Sequence, residues 1–360
     1  MDTIAIPFSR QQRITNTLLL NASFIDNIGL MHGKMGIAIY FFHLARETGM
    51  QIYEDYAGEL IDEIYEEVHA KSPCDFENGL AGIGWGIEYL VQNNFIDADT
   101  NEVLEESDKQ IVHEITFHAP SEIGILKGIT GYILYFLCRL NSNKAGTALF
   151  ESIRKTLMDL FDLLKQRINT QLIGSNDEII WNEPEKFDLA WDYPSVIWVL
   201  SELVNIQVCT EEAKEVLTQL VSPVLNNDKL PMLQSHQLLL AFALQKLKLS
   251  SHETVSGFDV ETFLAGIEQD LIIKELADNS AFLRDGSTGI AFIFKKLFEL
   301  TGNPSFKEKF EYWQSLGFET PESDQGYAGF NVVKAKEEEA FGILNGLAGL
   351  VLSNKKTPLI

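Results

Sequence analysis

The sequence predicts an all-α protein assembled from repeated helical hairpins. A Gly-x-x-Gly motif that leads directly into an apolar run with helical spacing occurs five times, starting at Gly33, Gly79, Gly128, Gly286 and Gly346. The first two intervals are 46 and 49 residues, and a regular period of this length indicates a repeat architecture. Strand-like alternation is weak throughout the chain, which leaves the helix as the repeating element.

Two of the repeats define the inner helix of each hairpin. The apolar run after Gly33 stops at Gly49, and the run after Gly286 stops at Gly302, an interval of 16 residues in both cases. Glycine directly after a helix is typical of a C-terminal cap. The pattern therefore predicts an apolar helix between each pair of glycines.

A more polar outer helix is predicted after each stop. It covers residues 51–68 in the first of these repeats and residues 305–315 in the other, and the first is strongly acidic on one face. An amphipathic helix beside an apolar one is typical of a hairpin whose first helix is buried and whose second faces water.

Two further repeats lack the motif glycines. Pro194 and Gln237 stand at the corresponding positions, before the apolar runs 196–204 and 238–244. With them the chain contains seven hairpins, and a continuous repeat predicts a single domain over residues 1–360.

The two longest intervals between repeats contain polar insertions. They cover residues 169–186 and 319–339. Because the hairpin pattern resumes after each insertion, we interpret both as surface loops.

Composition excludes several classes of partner. The formal charge is −24, from 28 Lys and Arg against 52 Asp and Glu, which argues against nucleic acid and anionic membranes. No stretch reaches about 18 uninterrupted apolar residues, so no membrane span is expected. The first residues lack a secretory signal pattern, and three cysteines without close spacing suit a reducing compartment, so we expect a cytoplasmic protein.

The motifs resemble those of the lanthionine synthetase C-like family, the LanC-like cyclases. The matching segments are Gly29-Leu30-Met31-His32-Gly33-Lys34-Met35-Gly36-Ile37-Ala38, Asn78-Gly79-Leu80-Ala81-Gly82-Ile83-Gly84 and Asn345-Gly346-Leu347-Ala348-Gly349-Leu350. The resemblance covers nearly the whole chain and implies an α/α toroid of about seven hairpins with parallel inner helices. It also implies a role in lanthipeptide or other modified-peptide biosynthesis, with a precursor peptide or a modification enzyme as partner.

The resemblance also implies where a zinc site would lie. In that family a zinc ion held by two Cys and one His activates a peptide thiol. In one register Ser235 stands for the first Cys, and Arg284 and Asp285 stand for the Cys-His pair. In a second register Asp192 stands for the first Cys and Ser235-His236 for the pair, so only His236 is kept. Neither register retains the ligand set, so we expect no zinc and no other cofactor.

Three interpretations of the activity remain open. The first is a divergent LanC-like protein without zinc catalysis, for which enzymatic activity is uncertain. The second is a peptide cyclase or lyase that uses Asp285, His236 and Tyr193 as acid–base groups. The third is a carbohydrate-active toroid enzyme that combines two carboxylates with aromatic platforms, namely Asp192, Asp285, Trp85, Trp181, Trp191 and Trp198.

The residues at the starts of the inner helices are further site candidates. If the inner helices are parallel, their N-terminal ends gather at one end, where free N–H groups and helix dipoles attract carbonyls and acidic side chains. These channel-end candidates are His32, Asn78, Lys127, Asp192, Arg284 and Asn345. We expect Asn78, Asp285 and Asn345 to cap helices, and His32 and His236 to be interior histidines with satisfied nitrogens.

Overall fold

The computed structural model describes residues 8–174, 178–226, 229–250, 255–277, 280–318 and 340–354. Within those residues the structure is all-α, and the β pairing consists of one isolated bridge between Ile173 and Ile179. The predicted loop at 319–339 lies outside the described residues. The predicted loop at 169–186 begins later than expected, because the preceding helix continues to Gln171.

The described residues form sixteen α-helices and one short 3₁₀ turn, Ala22–Phe24. In chain order the helices are α1 (Phe8–Asn21), α2 (Lys34–Thr48), α3 (Gln51–Glu67), α4 (Leu80–Gln92), α5 (Thr100–Val103), α6 (Glu105–Phe117), α7 (Ile129–Ser142), α8 (Ala148–Gln171), α9 (Asp192–Asn205), α10 (Thr210–Leu225), α11 (Gln234–Leu249), α12 (Val260–Phe263), α13 (Gln269–Glu275), α14 (Ser287–Thr301), α15 (Pro304–Phe318) and α16 (Leu347–Leu352). Seven of them, α2, α4, α7, α9, α11, α14 and α16, begin within three residues of the repeat positions found in the sequence. The predicted set of inner helices is therefore confirmed.

The chain divides into two compact units. The first comprises Met1–His113, Asp278–Phe292 and Glu308–Ile360, and the second comprises Glu114–Ala277 and Ile293–Lys307. In the first unit α2 packs against α3, α4 and α16, so the last inner helix contacts the first. In the second unit α9 packs against α7, α10 and α11.

Burial separates inner from outer helices as predicted. In α2 every residue from Lys34 to Ala45 is buried, whereas in α3 only Tyr53, Ala57, Leu60 and Ile64 are. The buried positions of α3 are three or four residues apart and lie on one face. Each buried Leu or Ile side chain contributes roughly 1.5–3 kcal/mol, which stabilises the pairing of the two helices.

The closing glycines have the conformation that their position requires. Gly49 has φ of +69° and Gly302 has φ of +71°, both in the left-handed region. The N–H of Gly49 donates to the carbonyl of Ala45 at 2.8 Å and ends the helix. The predicted C-terminal caps are confirmed, because glycine enters this region without the penalty that a Cβ atom imposes.

The motif glycines do not need a left-handed conformation, because their φ values are negative. They are needed because another backbone segment lies close to their Cα atoms. The segment before each inner helix that has a motif glycine folds back over the first turn of that helix. A Cβ atom on Gly79 would therefore lie 2.5 Å from the carbonyl oxygen of Pro73. The N–H of Leu80 donates to that same carbonyl at 2.9 Å. An equivalent bond seven residues back joins Lys34 to Asn27 at 2.9 Å and Ser287 to Ser280 at 3.0 Å. These helix starts are thus capped by the backbone of their own loops.

This backbone cap replaces the side-chain caps expected at Asn78 and Asn345. The N-cap residues are Gly79 and Gly346, and neither cap involves a side chain. The Oδ1 atom of Asn78 instead accepts a hydrogen bond from Nδ2 of Asn27 at 2.9 Å. The capping prediction for these two residues was wrong, because the folded-back loop already satisfies the N–H groups.

Candidate functional site

The N-terminal end of α11 differs from the glycine-bearing helix starts. Gln237 stands where other repeats have glycine. Here two glutamate side chains accept hydrogen bonds from the backbone N–H groups at the start of the helix. The carboxylate of Glu183 accepts from the N–H groups of Met232 at 2.7 Å and Leu233 at 2.8 Å. The carboxylate of Glu275 accepts from Gln234 at 2.9 Å and Ser235 at 2.7 Å. Acidic side chains thus occupy this helix end, as helix-dipole arguments predict.

His236 lies in the first turn of α11 and has both ring nitrogens engaged. Its Nδ1 is 3.0 Å from Oε1 of Glu183, and its Nε2 accepts the backbone N–H of Asp188 at 3.2 Å. Because Nε2 acts as an acceptor, the ring is neutral and its proton is on Nδ1. Burial lowers the pKa of His236, an effect that Glu183 partly offsets. The expected interior histidine with satisfied nitrogens is observed.

Asp192 is the first residue of α9 and lies in the same unit. Its carboxylate packs directly against Gly124, where a Cβ atom would overlap it. Burial, together with the negative charges of Asp188 and Glu122, raises the pKa of Asp192 to about 6. This carboxyl group therefore exchanges its proton close to neutral pH, a property common among groups that transfer protons.

Tyr193 and the neighbouring tryptophans form a packed aromatic cluster in the second unit. Tyr193 is fully buried, its hydroxyl donates to the carbonyl of Leu220 at 2.6 Å, and burial raises its pKa. The rings of Trp181 and Trp191 lie 4.6 and 6.0 Å from that of Tyr193, and Trp191 is also 4.6 Å from the ring of His236. This packing assigns Tyr193 a structural role instead of the proposed acid–base role.

The other two tryptophans of the carbohydrate hypothesis also have internal partners. Trp85 stacks on Tyr89 at 5.3 Å, and Nε1 of Trp198 donates to Glu202 at 3.2 Å. Asp192 belongs to the second unit and Asp285 to the first. No contact of the described residues favours a sugar platform.

In the first unit the loops before the inner helices are joined by backbone hydrogen bonds, each loop to the next. The N–H of Met31 donates to the carbonyl of Glu77 at 2.9 Å, and that of Ile343 donates to Met31 at 2.8 Å. The N–H of Arg284 then donates to Leu344 at 3.0 Å. The repeats at 79, 33, 346 and 286 are thereby connected one to the next.

Three predicted residues belong to this chain of loops. His32 is 3% exposed and its Nε2 lies 3.0 Å from Glu77, while its Nδ1 is buried without a partner. Asn345 also has a buried Oδ1 without a partner. Asp285 accepts a hydrogen bond from Ser280 at 2.6 Å and is half-buried. His32 is thus an interior histidine as predicted, but only one of its two nitrogens has a partner. That partner, Glu77, is a buried ionisable group that the sequence did not indicate.

The remaining candidates are more peripheral. Lys127 is exposed at the start of α7, and Arg284 is half-buried in the loop before α14. Both take part in interactions of the folded chain. Neither lies among the side chains that surround His236.

The residues of the second unit do not fit a zinc ion of the family type. Ser235 and Asp192 offer no thiolate, and both nitrogens of His236 are already bound. Within the described residues no group of three or more His, Cys, Asp or Glu side chains is arranged to hold a metal. Cys74, Cys138 and Cys209 form no disulfide. Cys74 lies in the loop that caps α4, Cys138 lies within α7, and Cys209 directly precedes α10.

Sequence reasoning missed the residues that contact the first turn of α11. Glu183, Asp188 and Glu275 match no motif, and they lie 40 to 53 positions from their partners in α11. One signal could have indicated them. Without a glycine at position 237 the preceding loop is not free to fold back over the helix, so its N–H groups require acceptors from elsewhere.

A comparison with protein families shows to which family this chain belongs. The family model described as lanthionine synthetase C-like protein matches residues 25–229, more than half of the chain. The chain belongs to the lanthionine synthetase C-like family. Among solved structures, this LanC-like chain is similar to nisin cyclase, with 14% sequence identity, 96% of this chain and 92% of that chain covered, and a TM-score of 0.66. A search of curated proteins finds no match.

The structural similarity confirms the predicted fold class, an all-α chain with the α/α toroid fold of the LanC-like family. Among the residues that the structure describes, no helix is long and apolar enough to cross a membrane. Within the second register, the ring of His236 lies 4.6 Å from that of Trp191, the residue directly before Asp192.

Proposed function

We propose that this LanC-like protein acts in the biosynthesis of a lanthipeptide or another modified peptide in the cytoplasm. It binds a precursor peptide or a partner modification enzyme and does not use the family's zinc chemistry. The observation that carries the proposal is the double engagement of His236, whose nitrogens face Glu183 and the N–H of Asp188. The family assignment supplies the peptide pathway, because LanC-like proteins act on peptides.

The chemistry of the side chains supports the absence of zinc catalysis. A zinc ion that activates a thiol is held by soft or borderline ligands such as thiolate and imidazole. At the corresponding positions this chain has the hydroxyl of Ser235 and the carboxyl of Asp192. Binding of zinc to His236 would also break one of two existing hydrogen bonds in a fully buried site.

A binding experiment in the absence of zinc tests this function. The probe is a short synthetic peptide rich in Ser, Thr and Cys, which is titrated into the protein in buffer with EDTA. We expect saturable binding that added zinc leaves unchanged. Binding that appears only when zinc is added would contradict the proposal.

A second candidate function is favoured by Asp192. Its pKa near 6 and its position at the start of an inner helix suit proton transfer to or from a peptide. In this case the protein is a peptide cyclase or lyase that works with a carboxyl group in place of zinc. Conversion of the same peptide, followed by mass spectrometry, would be lost in Asp192→Asn and retained in Tyr193→Phe.

A further inference from the structure

Residues 178–188, here called the strap, lie against the N-terminal turn of α11. At one end of the strap the N–H of Ile180 donates to Leu172 at 2.8 Å. At the other end the N–H of Phe187 donates to the carbonyl of Glu275 at 2.9 Å, and that of Asp188 donates to His236. The strap therefore covers the helix start and both nitrogens of His236.

Glu183 is the strap residue that enters the helix end. Its side chain is 10% exposed and accepts hydrogen bonds from two backbone N–H groups and from Nδ1 of His236. Three converging donors at the positive end of a 16-residue helix form an environment that suits a carboxylate. Any other carboxylate that reached this position would meet the same donors.

The same turn holds a donor that the chain leaves unused. Ser235 is fully buried, and its Oγ has no hydrogen-bond partner, although its backbone N–H donates to Glu275. A buried hydroxyl without a partner is rare in folded proteins and indicates a missing acceptor. The turn thus has one donor more than its two glutamates satisfy.

We propose that the N-terminal turn of α11 is a binding site for a carboxylate of the peptide ligand, and that Glu183 occupies it in the free protein. The proposal rests on the peptide-binding function proposed above and names the group that this site recognises. Exchange of Glu183 for a ligand carboxylate conserves the local charge and keeps the N–H groups of Met232 and Leu233 paired. A ligand carboxylate is not tethered to the strap as Glu183 is, so in this proposal it also shifts toward Ser235 and accepts from its Oγ, which Glu183 leaves unpaired.

The exchange makes Glu183 an internal competitor for the ligand. A ligand binds only the fraction of molecules in which the strap has withdrawn this side chain, so its apparent affinity is reduced by that fraction. Removal of the competitor raises the affinity, while removal of Ser235 lowers it. The two substitutions therefore have opposite effects if the site is real.

Three N-acetylated tripeptides serve as probes. Ac-Gly-Glu-Gly-NH2 carries a side-chain carboxylate, Ac-Gly-Gly-Gly-OH carries a C-terminal one, and Ac-Gly-Gln-Gly-NH2 is the neutral control. Binding is followed by the fluorescence of Trp181 and Trp191, which lie beside the site. The relative affinities of the first two probes show which source of carboxylate the site prefers.

We expect Glu183→Ala to bind at least one of the two acidic probes about tenfold more tightly than the unmodified protein, and to bind the neutral probe no better. Adding Ser235→Ala should reverse most of this gain. Glu185→Ala, a change at an exposed position of the same strap, is the matched control and should behave as the unmodified protein. If Glu183→Ala does not fold by circular dichroism, Glu183→Gln removes the charge with little change in size and should show the same order of affinities.

A folded Glu183 variant that binds the acidic probes no better than the unmodified protein would overturn the proposal. Equal gains for the acidic and neutral probes would also overturn it. Failure of the Ser-, Thr- and Cys-rich peptide to bind would count against the proposed function itself. Binding of that peptide with equal affinity to the unmodified protein and to Glu183→Ala would reject the carboxylate site alone.

Discussion

The substitution Gly79→Ala tests why the repeat needs glycine at the start of an inner helix. A Cβ atom at this position would lie 2.5 Å from the carbonyl oxygen of Pro73 and 2.6 Å from the backbone nitrogen of Asp75. Real Cβ contacts do not come this close to backbone atoms, so the folded-back loop has to move. Its movement weakens the bonds from Leu80 to Pro73 and from Ala81 to Cys74, which are 2.9 and 3.3 Å long.

The cost follows from the groups that lose their partners. Each buried backbone group left unpaired costs about 1–3 kcal/mol, so Gly79→Ala should lower the free energy of unfolding by roughly 2–4 kcal/mol. Gly58→Ala is the matched control, because Gly58 lies in α3 and a Cβ atom added there would have no neighbouring atom within 4 Å. Alanine is a better helix former than glycine, so this control should stabilise the protein by about 0.5–1 kcal/mol.

Urea denaturation followed by circular dichroism measures both changes. The reasoning requires the two variants to change the free energy of unfolding in opposite directions, although the substitution is chemically the same. Equal effects of Gly79→Ala and Gly58→Ala would refute it. A Gly79→Ala variant as stable as the unmodified protein would also refute it.

Three further predictions concern the second unit. Glu275→Ala should destabilise the protein by about 1.5–3 kcal/mol in urea denaturation, because Gln234 and Ser235 lose a charged acceptor, while the exposed Glu185→Ala should have no effect. Because the folded-state pKa of Asp192 is raised from 3.8 to about 6, the unmodified protein should lose stability relative to Asp192→Asn as the pH rises from 4 to 6. If the difference in melting temperature between the two proteins stayed constant from pH 4 to 6, the raised pKa of Asp192 could not be its cause. Nitrogen-15 NMR at pH 7 should show a neutral His236 with its proton on Nδ1, and a charged ring or a proton on Nε2 would contradict the assigned hydrogen bonds.

The sequence allowed the inner helices to be predicted because their signals are local. Gly33 and Gly49 bracket one helix. Gly33 is required by the nearby carbonyl of Asn27, six positions back, and Gly49 by its own positive φ. The apolar run between them specifies the buried helix without reference to any other segment. The same local logic located the degraded repeats at Pro194 and Gln237.

The site around His236 could not be predicted in the same way. Glu183 reaches His236 across 53 positions, and its role depends on how the strap crosses the end of α11. A polar insertion gives no periodic signal that identifies which of its carboxylates turns inward. The caps expected at Asn78 and Asn345 failed for a related reason, since the sequence does not show that a preceding loop will fold back over the helix.

The zinc content of the purified protein tests the central claim most directly. The claim is that this LanC-like chain keeps the family fold while Ser235, Asp192 and the engaged His236 replace the zinc site. Protein purified without chelators, dialysed against zinc and analysed by inductively coupled plasma mass spectrometry should contain far less than one zinc ion per chain. One tightly held zinc ion per chain, lost in His236→Ala, would contradict the account.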